Sequence, residues 1–513
     1  MKSMKFFGLM LSFALVMTGT FMLSGCNASS FDADKLTFND TFVYDGNKHI
    51  LEVSYEELDL NVTYSTTADG EFKSANEFNF TDADTYELYF KVSADGYLDY
   101  TSSEAVSFEI TQKDVTVNVN NVVKLVEDKA NQDYAQIAPT TNASDVVVAG
   151  DDLNLSFTIG NKSGTQTAFV AGNVVAGEKY NIVATYDNDN YDVTFNNGFV
   201  EIKDNVEVAK ASGEKVYYST LDNSIYSDID KGSVISIYKD FKYASETAAA
   251  VDVRLYADQS TDDYEFVIDL NGHTVEYRFT FTNWINATST YTGGTIVATI
   301  KNGSIGKTSI TGYGLTVFGN DKVDVTMEDL TISGESYGFS SNGYCEGATV
   351  TAEDCDFIGI GAGLYAPGKY EYSFENCTFT GATGYYAKSG DHTLTNCDFI
   401  GNQTDYVEPT YNGSGSHSTG SAIVIDSAQG YLVPMNVTLT GCSFDSVSGY
   451  CIEEFSTSKT GDQNTLETEI VVSDANYIRT GKTKAVFSEN YPTDNEILQG
   501  VHPNNLVVPE QQA

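Results

Sequence analysis

Arginine is nearly missing from this 513-residue chain: Arg254, Arg278 and Arg479 are the only three, and none lies between 279 and 478. Lys and Arg together number 28 against 72 acidic residues, which gives a formal charge of −44. Recognition of DNA, RNA or a bare anionic bilayer needs clustered Lys and Arg, so nucleic acid is not an expected partner. The sign of the charge fits a soluble, self-repelling, surface-exposed protein. Tryptophan is single and proline is low at 7. After residue 30 only 220–229 and 244–251 carry helical periodicity. No apolar run of 18 residues occurs beyond the first 25, so no later segment is expected to span a membrane as a helix. Cysteine is absent from 27 to 344.

What is present begins at the N-terminus. Lys2 and Lys5 precede an apolar stretch from Phe6 to Met22, which ends in Leu23-Ser24-Gly25-Cys26. A basic start, an apolar middle and small residues at a cut site make a secretory signal. The four-residue ending resembles the lipobox of bacterial lipoproteins. That resemblance implies a lipid on Cys26 as the first mature residue, and anchoring at the bacterial cell envelope. Two or more acyl chains hold a protein stably on a membrane, at about 0.8 kcal/mol per buried CH₂. Residues 1–25 are therefore set apart as a signal peptide, and 26–34 as a polar tether.

Tyr, Phe, Val, Thr, Asn, Asp and Gly dominate the rest, the composition of short strands joined by polar turns. Residues 35–113 alternate with period two, as in Leu60-Asn61-Val62-Thr63-Tyr64 and Tyr86-Glu87-Leu88-Tyr89-Phe90, and predict an Ig-like sandwich. Val43-Tyr44-Asp45-Gly46, Ala83-Asp84-Thr85-Tyr86 and Ala94-Asp95-Gly96-Tyr97 resemble the MBG-type Ig-like repeats of bacterial surface proteins. Residues 114–203 resemble a second, divergent copy through Gly177-Glu178-Lys179-Tyr180 and Asn190-Tyr191-Asp192-Val193-Thr194-Phe195. In that family such modules serve mostly as spacers or stalks.

From 208 to 490 the chain repeats, and 491–513 is a tail. Met327-Glu328-Asp329-Leu330-Thr331-Ile332 aligns with Ala352-Glu353-Asp354-Cys355-Asp356-Phe357, and then with segments centred on Cys377, Cys397 and Cys442. The centres step by 25, 22, 20 and 45 residues, a solenoid period in which the last step holds one turn and an insertion. The pattern resembles the right-handed parallel β-helix of the pectate-lyase-like superfamily, capped by a helix at Leu221–Ile229. The expected fold class is thus all-β: two Ig-like β-sandwich modules followed by a right-handed parallel β-helix solenoid. Cys355, Cys377, Cys397 and Cys442 occupy one repeat position, two residues before Phe357, Phe379, Phe399 and Phe444. Residues i and i+2 of a strand share a face, so these eight form the expected core ladder, with thiols favoured over disulfides and over a metal.

No catalytic set is expected. The acids at 328–329 and 353–356 flank the ladder where turn residues belong, so they are not assigned as a glycosidase pair. Pectin-hydrolase-like β-helices carry a Gly-His-Gly motif and a basic triplet; Ser416-His417-Ser418 is the nearest fragment. A lyase needs a strong base beside an acid cluster, and the Lys residues of the repeat do not recur near one. No cofactor is expected. A Ca²⁺ loop at Asp187–Asp192 would need Glu at its twelfth position, which is Gly198, so no motif supports Ca²⁺ and no metal ligand is assigned.

Loops that interrupt a solenoid tend to carry binding. The insertion 401–420 supplies Asp405, Tyr406, Tyr411 and His417 as candidate ligand-binding residues, and the Gly-rich turns add Tyr365, Tyr385 and Tyr386. The expected function is non-enzymatic binding or adhesion to a glycan or host surface, by a protein held to the membrane through the lipid on Cys26. Polysaccharide lyase or glycoside hydrolase activity of the pectate-lyase-like fold is the alternative, and a structural envelope spacer the second.

Overall fold

The computed structural model describes residues 28–127, 134, 136–243, 252–256, 264–282, 295–318, 323–342, 344–409, 418–426, 435–455 and 468–488. The chain divides into two compact units: 1–120 with 138–158 and 182–198, and 121–137 with 159–181 and 199–513.

In the first unit, alternating apolar residues of Asp84–Ser93 bury Leu88, Phe90 and Val92. This strand pairs antiparallel with Asn61–Ser65 and with Val106–Thr111, and the latter runs parallel to Thr41–Val43. The segment Tyr44-Asp45-Gly46 forms a turn with Gly46 at φ 77°. Asn47 N–H donates to Asp45 Oδ1 at 2.8 Å. Its side chain and backbone together hold the Asp45 carboxyl down to about 2. Tyr44 and Tyr191 both donate to Asp151 Oδ2, at 2.7 and 2.6 Å. The tyrosine of this turn motif is thus a structural anchor.

In the second unit, Val122–Leu125 pairs parallel with Phe199–Lys203, against which 179–181 runs antiparallel. From Val206 onward it builds two long sheets, of 17 and nine strands among the described residues, parallel apart from the antiparallel pairings of Val206–Ala209 at the start. The expected cap is a 3₁₀ helix, Asn223–Asp228, flanked by buried Leu221 and Ile229. The other helical candidate, 244–251, lies outside the described residues. Each coil of the solenoid repeats one path. Lys369–Glu375 runs in the large sheet, turns at Asn376, continues as Thr378–Gly381, then enters the nine-stranded sheet as Thr383–Ala387. Asp391–Thr395, Asn396 and Asp398–Gly401 repeat it one coil later, in register and about 4.8 Å away. These sheets make the second unit a parallel β-helix and the chain an all-β protein.

The turn is set by one residue per coil in the left-handed region. Asn271, Asn302, Asp329, Asp354, Asn376, Asn396 and Asp474 have φ between 48° and 60°, and Gly441 has φ 66°. Asn, Asp and Gly are the residues that tolerate this conformation, which explains the recurring acids and amides. Three residues after the turn residue comes the aromatic position. Phe357, Phe379, Phe399, Phe444 and Tyr477 stack down the interior with centroids 5.0, 5.3, 5.2 and 5.4 Å apart. Between turn and ring sit Cys355, Cys377, Cys397 and Cys442, buried and free of disulfides. Each thiol donates to the carbonyl two residues earlier, Cys377 to Glu375 at 3.2 Å and Cys397 to Thr395 at 3.3 Å. That same Glu375 carbonyl accepts the Asp354 N–H of the preceding coil. Neighbouring sulfurs and burial push the Cys377 and Cys397 thiols up to about 12, so they stay protonated.

Candidate functional site

Strand alternation sends one set of side chains inward and the next outward. In the nine-stranded sheet, Leu315, Phe339, Leu364, Tyr385, Ile423, Ile452 and Val486 lie in register along the interior. The column beside them, Thr316, Ser340, Tyr365, Tyr386, Val424, Glu453 and Phe487, faces out. Its ends differ. Along its early coils, Tyr313 and Tyr337, which lie in register with each other and with Ala362 and not in this column, run on into Tyr365 and Tyr386 with centroid separations of 5.5, 4.9 and 5.5 Å. Tyr313 is 36% exposed, Tyr337 and Tyr365 are half-buried, and Tyr386 is buried.

At the other end the insertion closes over the sheet. Glu453 is fully buried, and its carboxylate accepts three hydroxyls: Tyr406 on Oε1, and Thr419 and Ser421 on Oε2, each at 2.5 Å. Desolvation pushes the Glu453 carboxyl above its ordinary value against the pull of those donors. Lys482 Nζ sits 3.2 Å from the Tyr406 ring centroid, a cation–π contact, and Tyr406 meets Tyr450 edge-on at 5.8 Å. A second buried acid, Asp426, accepts Tyr386 Oη–H at 2.8 Å and pairs with Lys388 at 3.2 Å. Tyr386, Val424 and Phe455 form a small apolar cluster of their own.

The candidates named from sequence scatter over this surface. Cys26, Tyr411 and His417 lie outside the described residues. Asp405 is exposed. Tyr406 is half-buried and tied down by Glu453 and Lys482. Tyr365 belongs to the outer string. Tyr385 and Tyr386 correct the expectation of a ligand face, because both are fully buried. Tyr385 points into the core, where its hydroxyl meets His392 Nδ1 at 2.8 Å. Tyr386 points outward but beneath neighbours that seal it. The His392 Nε2–H donates to the Ser389 carbonyl at 2.9 Å, which leaves Nδ1 as the acceptor for Tyr385. Its ring lies flat on Tyr372 at 4.5 Å, and burial lowers its pKa to about 3.

Sequence reasoning passed over Tyr313, Tyr337, Lys388, Asp426, Glu453 and Lys482. One signal was readable: Ile452-Glu453-Glu454-Phe455 places two acids inside an apolar strand pattern. Among the described residues no group of three or more His, Cys, Asp or Glu is arranged to hold a metal ion. Chemically, the surface offers aromatic faces at its open end and a hydroxyl-saturated carboxylate at its closed end.

No curated protein and no solved structure matches the chain. One family model does: residues 285–469 match the right handed beta helix region, which gives the parallel coils their hand.

Proposed function

We propose that this chain is an envelope lipoprotein, anchored through Cys26, that binds a glycan or host surface without chemical turnover. The run Leu23-Ser24-Gly25-Cys26 supports the anchor, and the MBG-like segments support a stalk. The observation that carries the binding reading is the outer string Tyr313–Tyr337–Tyr365, whose rings follow one another at 5.5 and 4.9 Å from coil to coil. Aromatic side chains combine a large apolar face with a polar tip. A row of them at coil spacing suits successive sugar rings of an extended chain. A glycan array probed with the full chain tests this. Binding that is lost in Tyr337→Ala, with an unchanged melting curve, supports the reading; binding that survives in a Tyr313→Ala, Tyr337→Ala double variant ends it.

One observation favours a second reading, a glycoside hydrolase. Asp426 and Glu453 come from neighbouring coils, and their Cα atoms are offset by one strand and two residues, about 8 Å. The register puts both acids on the same side of the sheet, and glycoside hydrolysis needs two carboxyl groups that face one substrate. Both acids are fully buried and already hydrogen-bonded, so substrate reaches them only if their present partners give way. Reducing-sugar release from the array ligand, lost in Glu453→Gln, would establish this reading over simple binding.

A further inference from the structure

We infer that the first coils of the β-helix hold a second ligand site, a cleft for a neutral sugar of one or two rings. It lies between Asn205, the strand end at Tyr238–Lys242 and the turn at His273–Tyr277, with a volume of about 720 Å³. Small-molecule sites are typically about 300–1,000 Å³ and combine aromatic walls with a few placed polar groups. Both elements are here. Tyr238 and Tyr277 are half-buried walls, and Phe241 packs 5.9 Å from the Tyr277 ring. The Asp240 carboxylate is fixed by Thr274 N–H at 3.0 Å and by His273 Nδ1 at 3.2 Å. Thr274 N–H first, and then His273, hold its carboxyl below the ordinary range. It stays ionised, half-exposed and ready to accept hydroxyl donors.

The second, independent sign is Asn205. The side chain is 6% exposed and lines the cleft. Its Nδ2 donates to the Ser219 carbonyl at 2.7 Å, while its Oδ1 has no hydrogen-bond partner. A buried acceptor left unpaired is costly, and each such group calls for an explanation. A ligand O–H or N–H seated in the cleft provides the missing donor. The charges around the rim are already matched: Lys239 is paired with Glu127 at 2.7 Å, and Asp240 feels both His273 and Lys242. The cleft therefore selects hydroxyl groups and an apolar ring face, and gives a charged sugar no advantage.

This site shares no residue with the outer tyrosine string and does not rest on it. The test is calorimetry and saturation-transfer NMR on the full chain with cellobiose, lactose and N,N′-diacetylchitobiose, and with sodium glucuronate as the charged comparator. At least one neutral disaccharide is expected to bind with Kd of about 0.1–1 mM, the range of a small polar site. Tyr277→Ala should weaken it about tenfold. Tyr277 also packs on the core, so Thr220, exposed where it lines the cleft, gives the second probe: Thr220→Trp should block binding and leave the melting curve in place. Tyr337→Ala should leave this binding intact. No binding of any neutral disaccharide at about 10 mM, full affinity in Thr220→Trp, or tighter binding of glucuronate would each overturn the inference.

Discussion

The inside and the outside of one coil obey different rules. Inside, Asn376, Cys377 and Phe379 repeat as Asn396, Cys397 and Phe399, and the repeat produces a ladder of turns, thiols and rings. Outside, on the nine-stranded sheet, the column passes from Tyr365 and Tyr386 to an aliphatic Val424 and then to an acidic Glu453. Stacking rewards like on like only where the neighbour above and below is the same element. The outer face answers to whatever covers it. In this solenoid, structure lies where the sequence repeats, and the candidate chemistry lies where it stops repeating.

The sharpest way to break the inner ladder is Phe379→Ala. The ring is fully buried between Phe357 and Phe399, and truncating such a group costs about 3–5 kcal/mol. Because each coil touches mainly its neighbours, the damage should stay near coils 357–399. Thiol labelling reads this directly: Cys377 and Cys397 should become reactive in the variant well before Cys451. Uniform exposure of every thiol would mean that the solenoid unfolds as one block.

His392 gives the next largest effect, through pH. Its pKa is lowered from 6.5 to about 3 by burial, so the unfolded chain takes up a proton below 6.5 that the native chain refuses. Stability from this group is present above pH 6.5 and is lost as pH falls toward 3, by about 3 kcal/mol between pH 7 and pH 4. In His392→Gln that term vanishes. The variant is less stable than wild type at pH 7, and the two urea curves should converge on acidification. Parallel loss in both proteins would remove His392 from the account.

How much was legible follows the same division. The ladder was readable because Cys and Phe recur at fixed offsets, and because an Asn, Asp or Gly precedes each ladder Cys for a backbone reason. The parity of Tyr385 and Tyr386 was not. Every residue of Thr383–Ala387 is buried, so the strand lacks the polar alternation that would tell its two faces apart. The cause lies in neighbouring coils and in the insertion, which seals the outer face from a distance in sequence. Glu453 was missed for the same reason. Its partners Tyr406, Thr419 and Ser421 are more than 30 residues away, and no local pattern announces them.

Glu453→Ala tests that closed outer end. Removing the carboxylate leaves three hydroxyls without their acceptor, and an unmet buried donor costs about 1–3 kcal/mol. The loss should be local: proteolysis within 402–421 should accelerate while the thiol ladder stays protected. The wild-type pH response has a defined sign. Burial raises the Glu453 pKa, so the native chain holds a proton that the unfolded chain has released, and its stabilising term fades as pH rises through that raised value. Insertion cleavage should therefore quicken as pH rises through that raised value in wild type and not in Glu453→Gln. Identical rates in both would detach the insertion from this carboxylate.

The smallest effect returns to the turn. Asn376 holds φ 53°, where an L-residue with a Cβ pays about 1–2 kcal/mol unless its side chain compensates locally. Asn376→Ala should cost about 1 kcal/mol, whereas Asn376→Gly should be near neutral because glycine enters this region freely. Gly441 already occupies the same ladder position two coils on, at φ 66°, so the fold itself accepts the second substitution. Comparing the two variants separates backbone strain from side-chain contact. If Ala and Gly destabilise equally, the amide's own interactions fix the turn. If only Ala does, the turn is a matter of conformation, and the Asn and Asp residues that mimic an acidic site are there to bend the chain.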